Sequence, residues 1–196
     1  MIKLLVGLGN PGQRYQKTRH NAGFLFLDEL AQERSLTFSR QVRFFGDLAE
    51  LKVGSDKLYL LKPGTFMNRS GQSVSSVTKY YKIKPEEVLV IHDELDFDVG
   101  VLKLKSAGGH GGHNGLRDIV AALGVRDFKR LRVGIGRPKP GVQVADYVLS
   151  DFPKSDLQHI KELYSDFLII FLWCRGDFEA AMLKLHSAKY IKKLIR

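Results

Sequence analysis

The chain has 196 residues, 44% of them hydrophobic and 27% charged, which suits one globular domain with a substantial core and excludes global disorder. Lys and Arg outnumber Asp and Glu by 31 to 21, a formal charge of +10; that surplus favours a polyanionic partner without choosing among RNA, DNA and an anionic membrane. A single cysteine, Cys174, excludes an internal disulfide and a cysteine-built zinc site, and it points to a reducing compartment.

Ile2 to Leu8 is continuously apolar and closes on Gly9-Asn10-Pro11-Gly12, which predicts a buried strand running into a loop. This start lacks the charged-then-apolar design of a secretory signal and the Arg/Ser-rich character of a transit peptide. Phe24, Leu27, Leu30 and Ala31 recur at helical spacing after Asn21. Phe44 to Val53 and Leu58 to Leu61 read as strands joined by a turn at Gly54-Ser55-Asp56, and Ser70 to Tyr81 as a helix. Val88 to Ile91 is a short buried strand ending at His92-Asp93, Val101 to Lys105 alternates apolar and basic, and Leu131 to Ile135 is one more strand. Ser155 with Gln158 has the spacing of a capping box. It would open a helix with Leu157, Ile160, Leu163, Tyr164, Phe167, Leu168 and Phe171 on one face, stopping near Gly176. The longest apolar run, Phe167 to Cys174, is far short of the ~20 residues of a membrane span. A soluble, cytoplasmic α/β domain with helices around a mostly buried sheet is expected. Asn10, Asn68 and Asp93 each follow a predicted strand, where such sheets gather ligands.

Four clusters carry chemistry. Gly7-Leu8-Gly9-Asn10-Pro11-Gly12, followed by Tyr15 and Thr18-Arg19-His20-Asn21, is a glycine turn that fits neither a dinucleotide fingerprint nor a Walker loop. Lys62 to Gly71 sets Phe66 and Met67 among turn formers, either as core plugs or as a stacking surface. His92-Asp93-Glu94-Leu95-Asp96 could serve magnesium, or supply a carboxylate that orients a histidine. Gly108-Gly109-His110-Gly111-Gly112-His113-Asn114-Gly115 offers two histidines in a flexible loop, which lacks the rigid helical spacing of a zincin. It reads better as exposed backbone N–H groups at a helix start capped by Asn114, a place for phosphate or an oxyanion. Lys103 and Lys105 leave one face of a strand, Arg132 stands on another strand, and each is either an anion anchor or solvated surface. From position 184 the tail holds Lys184, Lys189, Lys192, Lys193 and Arg196 with no acid, either a basic tail near RNA or a solvated end.

Taken together the blocks GLGNPG with Tyr15 and TRHNAGF, KPGTFMNRSG, HDELD, GGHGGHNGL and RLRVGIGRP resemble the bacterial-type peptidyl-tRNA hydrolase family, in its order and as far as about residue 138. The resemblance implies a monomeric single-domain fold, a twisted mixed sheet surrounded by helices. It implies hydrolysis, without metal or other cofactor, of the ester between a peptide and tRNA. His20 would be the general base and Asp93 the acid that orients it. Asn10 and Asn68 would hold the tRNA 3′ end and the peptide backbone, and Asn114 would position water or the oxyanion. Tyr15, Phe66, Met67 and His113 resemble further walls of the cleft. Lys103, Lys105 and Arg132 resemble a clamp for the tRNA 5′-phosphate, and residues 137–152 a mobile gate. The sequence departs from the pattern at Phe97-Asp98-Val99, where many members place proline.

The residue types suit that chemistry. An activated ester needs only a positioned water and a base of near-neutral pKa. No Gly-x-Ser-x-Gly elbow is present, and Cys174 falls in the apolar helix, so a covalent nucleophile is not favoured. Two rival readings stand beside this one. One is a non-catalytic RNA-binding relative, like the plant organelle group II intron splicing factors that resemble the same family. The other is a nucleotide-binding metal hydrolase built on the glycine loops and HDELD.

Overall fold

The apolar runs become a sheet buried on both faces. The computed structural model describes residues 1–173 and 177–186, with the backbone alone for 166–173. Its seven strands are β1 (Leu4–Gly7), β2 (Ser39–Gln41), β3 (Gly46–Val53), β4 (Asp56–Pro63), β5 (Val88–Glu94), β6 (Leu102–Lys105) and β7 (Lys129–Gly134), in the order β2-β3-β4-β1-β5-β7-β6. β4, β1, β5 and β7 run parallel, while β2, β3 and β6 join antiparallel at the edges. The mixed, helix-covered sheet is the architecture expected from the sequence.

Among the described residues the sheet is joined by six α-helices: α1 (Ala22–Glu33), α2 (Ser70–Tyr81), α3 (Asn114–Leu123), α4 (Val144–Val148), α5 (Lys154–Trp173) and α6 (Phe178–Leu185). Alternation along the strands sorts the core into two layers. Leu5, Leu60, Leu89, Ile91, Leu131 and Val133 face Phe26 and Leu30 of α1 and Ile160, Leu163 and Tyr164 of α5. Leu4, Val6, Leu61, Val88 and Val90 face Val74 and Val77 of α2 and Leu116 and Ile119 of α3. Asp93 shares the parity of Leu89 and Ile91, and so falls on the α1 side; His92, Arg130 and Arg132 take the opposite parity.

The first turn of α1 rests directly on the sheet because position 23 has no side chain. A Cβ on Gly23 would stand 2.2 Å from the Leu8 nitrogen and 2.3 Å from the Ile91 oxygen. From α5, the buried Tyr164 hydroxyl donates to the Ala22 carbonyl at 2.9 Å, fixing the same turn from outside. The residues just before α1 are thereby held over the end of β5.

Local differences from the sequence reading have physical causes. Phe44 lies in a 3-10 turn (Val42–Phe44) rather than in β3, because Phe45 takes the left-handed φ of 51°. β2 has no apolar pattern and escaped notice. α5 begins before Ser155, whose hydroxyl donates to Asp156 Oδ1 instead of closing a capping box. Leu157, Ile160, Leu163 and Tyr164 do pack inward; side chains 166–173, Cys174, the stop near Gly176 and the tail beyond 186 lie outside the described residues. Among the described residues no helix is long and apolar enough to cross a membrane.

Candidate active site

A cleft of about 520 Å³ opens at the carboxyl ends of β5 and β7, lined among others by His20, His92, Asp93, Lys105, His113, Asn114, Arg130, Arg132 and Val148. At its floor Asp93 keeps 4% of its side chain exposed and holds two imidazoles. His20 Nδ1 lies 3.0 Å from both carboxylate oxygens, and His113 Nε2 lies 2.9 Å from Oδ1. The rings of His20 and His113 stand 5.0 Å apart.

The surrounding donors fix the tautomers. His113 Nδ1 accepts from the N–H groups of Gly115 at 3.1 Å and Leu116 at 3.4 Å, so the ring proton sits on Nε2 and donates to Asp93. Burial opposes charge on Asp93, but the facing His20, by its charge, and the hydrogen bonds from both imidazoles outweigh it and hold its carboxyl well below the usual range. An ionised Asp93 only accepts, so His20 donates through Nδ1 and its lone pair is on Nε2. Burial lowers the His20 pKa, yet the Asp93 charge and hydrogen bond prevail and raise it above 6.5. His92 is the neutral counterpart. Its Nδ1 donates to the Asp93 carbonyl at 2.7 Å, and burial above all brings its pKa to about 3.

His20, Asp93 and His113 also place one metal-ligating atom each within 4.8 Å of one another. Those atoms are already engaged with each other, and His113 Nε2 carries a proton, so the set as arranged handles protons. A metal would require both imidazole contacts to Asp93 to break.

The profile of the peptidyl-tRNA hydrolase family matches residues 4–193. The chain belongs to that family. It is 52% identical over 189 residues to the peptidyl-tRNA hydrolase of Dichelobacter nodosus, covering 95% of this chain and 100% of that one. It is 49% identical to that of Nitrosomonas europaea, covering 95% and 96%. The crystal structure of the Acinetobacter baumannii peptidyl-tRNA hydrolase superposes with a TM-score of 0.84 at 43% identity, covering 95% of both chains.

The residues singled out from sequence take several positions within this family fold. Asn10 is buried: its backbone N–H donates to Asn21 Oδ1, Asn21 Nδ2 donates to its carbonyl, and its own Oδ1 accepts from Met67 N–H at 2.8 Å. That leaves the Asn10 amide NH₂ as its remaining polar group. Met67 is a core plug at 4% exposure, while Phe66 is exposed and meets Tyr15 edge-on at 6.4 Å. Asn68 is exposed in the 3-10 turn (Met67–Arg69) ahead of α2. The cap of α3 is His113 and not Asn114; Asn114 is exposed in the first turn, where its Oδ1 accepts from Arg117. Lys103 pairs with Arg132 and Lys105 with Arg130 across β6 and β7, opposite the buried Leu102 and Leu104. Lys103 and Arg132 both lie over the Phe97 ring, at 4.4 and 4.6 Å, so the first residue of the Phe97-Asp98-Val99 stretch underlies two cations.

Three residues of the site have no role assigned to them by the sequence. Asn21 clamps Asn10, Arg130 donates to the carbonyls of Gly108 and Gly109 and so pins the glycine loop, and Arg19 holds α4. Arg130 alone had a readable signal, being two positions from Arg132 and so on the same strand face.

Proposed function

We infer that this enzyme hydrolyses the ester between a peptide and the tRNA 3′ end, with water as nucleophile and His20 as general base. The observation that carries the mechanism is Asp93 held between His20 and His113, which leaves His20 Nε2 unprotonated at the cleft. Water gives a proton to Nε2 as its oxygen attacks the ester carbonyl, forming a tetrahedral oxyanion. Asp93 stabilises the resulting imidazolium without taking its proton. Collapse breaks the bond to the ribose oxygen, which takes the proton from Nε2. The products are the peptide acid and a free tRNA hydroxyl, with His20 neutral again.

The asparagines shape the substrate. Asn10 donates through its NH₂, Asn68 offers an exposed amide, and Asn114 at the start of α3 aids the water or the oxyanion. His113 walls the cleft, Tyr15 and the exposed Phe66 offer the substrate an aromatic edge, and Met67 packs in the core beneath Asn10. All three asparagines are neutral, so a substrate amide fits where a free amino acid would bury an unpaired ammonium. Lys103, Lys105 and Arg132 clamp the 5′-phosphate, and residues 137–152, which carry α4, act as a gate. We take the enzyme to act as a monomer, and a substrate made in translation supports a cytoplasmic setting.

Release of peptide from N-acetylated aminoacyl-tRNA by wild type and His20→Ala tests the assignment. Loss on the order of 10²-fold or more is expected; normal hydrolysis by the variant would remove His20 as base. EDTA should leave the wild-type rate unchanged, and free aminoacyl-tRNA should be cleaved much more slowly than the acetylated form.

A further inference from the structure

We infer that Arg19 is a positioning residue of this enzyme: it ties the turn that carries His20 to the α4 wall of the cleft, so that the wall sets the place of the base. The inference rests on His20 as base. Arg19 Nη1 donates to the Ser150 carbonyl at 3.3 Å, to Ser150 Oγ at 2.7 Å and to the Asp151 carbonyl at 2.7 Å. Its guanidinium also covers two rings, 4.5 Å from the centre of Tyr147 and 5.6 Å from that of Phe152.

The backbone makes the same join. Arg19 N–H donates to Ser150 at 3.1 Å, Phe152 N–H donates to Lys17 at 2.9 Å, and Thr18 bridges Asp151 antiparallel. Tyr147 belongs to α4, where Val144, Ala145 and Val148 line the cleft, and its hydroxyl anchors to the Ile135 carbonyl at 2.6 Å. Among the described residues no carboxylate pairs with Arg19; its partners are carbonyls and rings. The planar guanidinium therefore serves geometry, and lysine, a compact point charge, reproduces it poorly. A substrate that presses on α4 moves the next residue in sequence, His20, relative to Asp93.

The test is hydrolysis of N-acetylated aminoacyl-tRNA across pH by wild type, Arg19→Ala, Arg19→Lys and Ser150→Ala, with His20→Ala as reference. Arg19→Ala should lose kcat by about tenfold or more, because small misplacement of a catalytic group is costly. KM should stay within about threefold, since the proposed phosphate clamp is untouched. The titratable groups facing His20 are Asp93 on β5 and His113 ahead of α3. Loosening His20 from Asp93 removes what raises its pKa, so the acid limb of the kcat profile should move to lower pH. Arg19→Lys should recover part of kcat, and Ser150→Ala should shift the limb in the same direction by less. Wild-type kcat and an unmoved limb in folded Arg19→Ala would overturn the inference, as would a loss confined to KM. Should Arg19→Ala fail to fold, an unmoved limb in both Arg19→Lys and Ser150→Ala would overturn it equally. An active His20→Ala sinks the base assignment itself, whereas an inactive one beside a normal Arg19→Ala sinks this inference alone.

Discussion

Asp93 is almost sealed from solvent and accepts from two imidazoles, whereas Lys103 and Lys105 stand exposed on β6 with Phe97 beneath one of them. Both regions line the carboxyl side of the sheet, yet they depend on different physics. At Asp93 the water is excluded, charges act through low dielectric, and each proton has a fixed place. On the β6–β7 face charges are screened within about a Debye length, and each contributes separately to attracting phosphate. Substitutions at the first should act on kcat and on its pH profile. Those at the second should act on KM and on salt dependence.

The largest effect is expected from Asp93→Asn. The amide offers His20 and His113 one acceptor instead of a carboxylate, and the charge that raises the His20 pKa is gone. Loss of kcat on the order of 10³-fold is expected, with the residual acid limb displaced to lower pH. Stability carries a second signature. The depressed Asp93 pKa contributes stability that is present above the unfolded value near 4 and lost as pH falls through the folded one. The variant's Tm should therefore vary less with pH on the acid side than that of wild type. An activity loss with an unmoved limb would break the contrast between the regions.

Lys105→Ala combined with Arg132→Ala should come next. With about 0.7–0.9 counterions released per phosphate contact, loss of two contacts flattens the slope of log KM against log salt by nearly two. At low salt KM should rise about tenfold or more while kcat holds. A fall in kcat with an unchanged salt slope would place these cations in the chemistry and not in a clamp.

His113→Asn sharpens the comparison from inside the buried region. Asn is a strong helix N-cap, so α3 should keep its cap within about 1 kcal/mol. The second contact to Asp93 is lost, because Asn does not reach as the imidazole does. A kcat loss of about tenfold with little change in Tm would separate the two roles of His113. A large fall in Tm with full activity per folded molecule would leave only the cap.

How much of this was legible in the sequence follows from which interactions are local. β1, β4 and β5 carry apolar runs bounded by turn formers and β7 alternates basic with apolar residues, so hydrophobic pattern suffices for them. β2, Ser39–Gln41, exists only through its ladder to β3, and no local preference marks it. Asn114 is the more usual cap by residue type, but the extended backbone of His113, φ −70° and ψ 115°, puts that imidazole on the free N–H groups instead. His20 and Asp93 meet across 73 positions, a contact known before the structure only through family resemblance. Arg19 is silent in sequence because its partners are backbone carbonyls, which carry no residue identity.

The smallest effect is expected at the rim, where Arg137 Nη2 meets Asp96 Oδ1 across the mouth of the cleft. Both side chains are mostly exposed, at 69% and 62%. Water and salt screen such a pair, and holding two long side chains in one geometry costs entropy that offsets the attraction. Arg137→Ala should therefore change kcat/KM by less than about fivefold, the span of a surface ion pair. The same substitution removes one cation from the cleft, so a small rise in KM at low salt should vanish at high salt. If instead kcat fell strongly and salt made no difference, the rim pair would act like the buried region, as a latch on the gate. The mouth of the cleft would then belong with Asp93 rather than with the β6–β7 face.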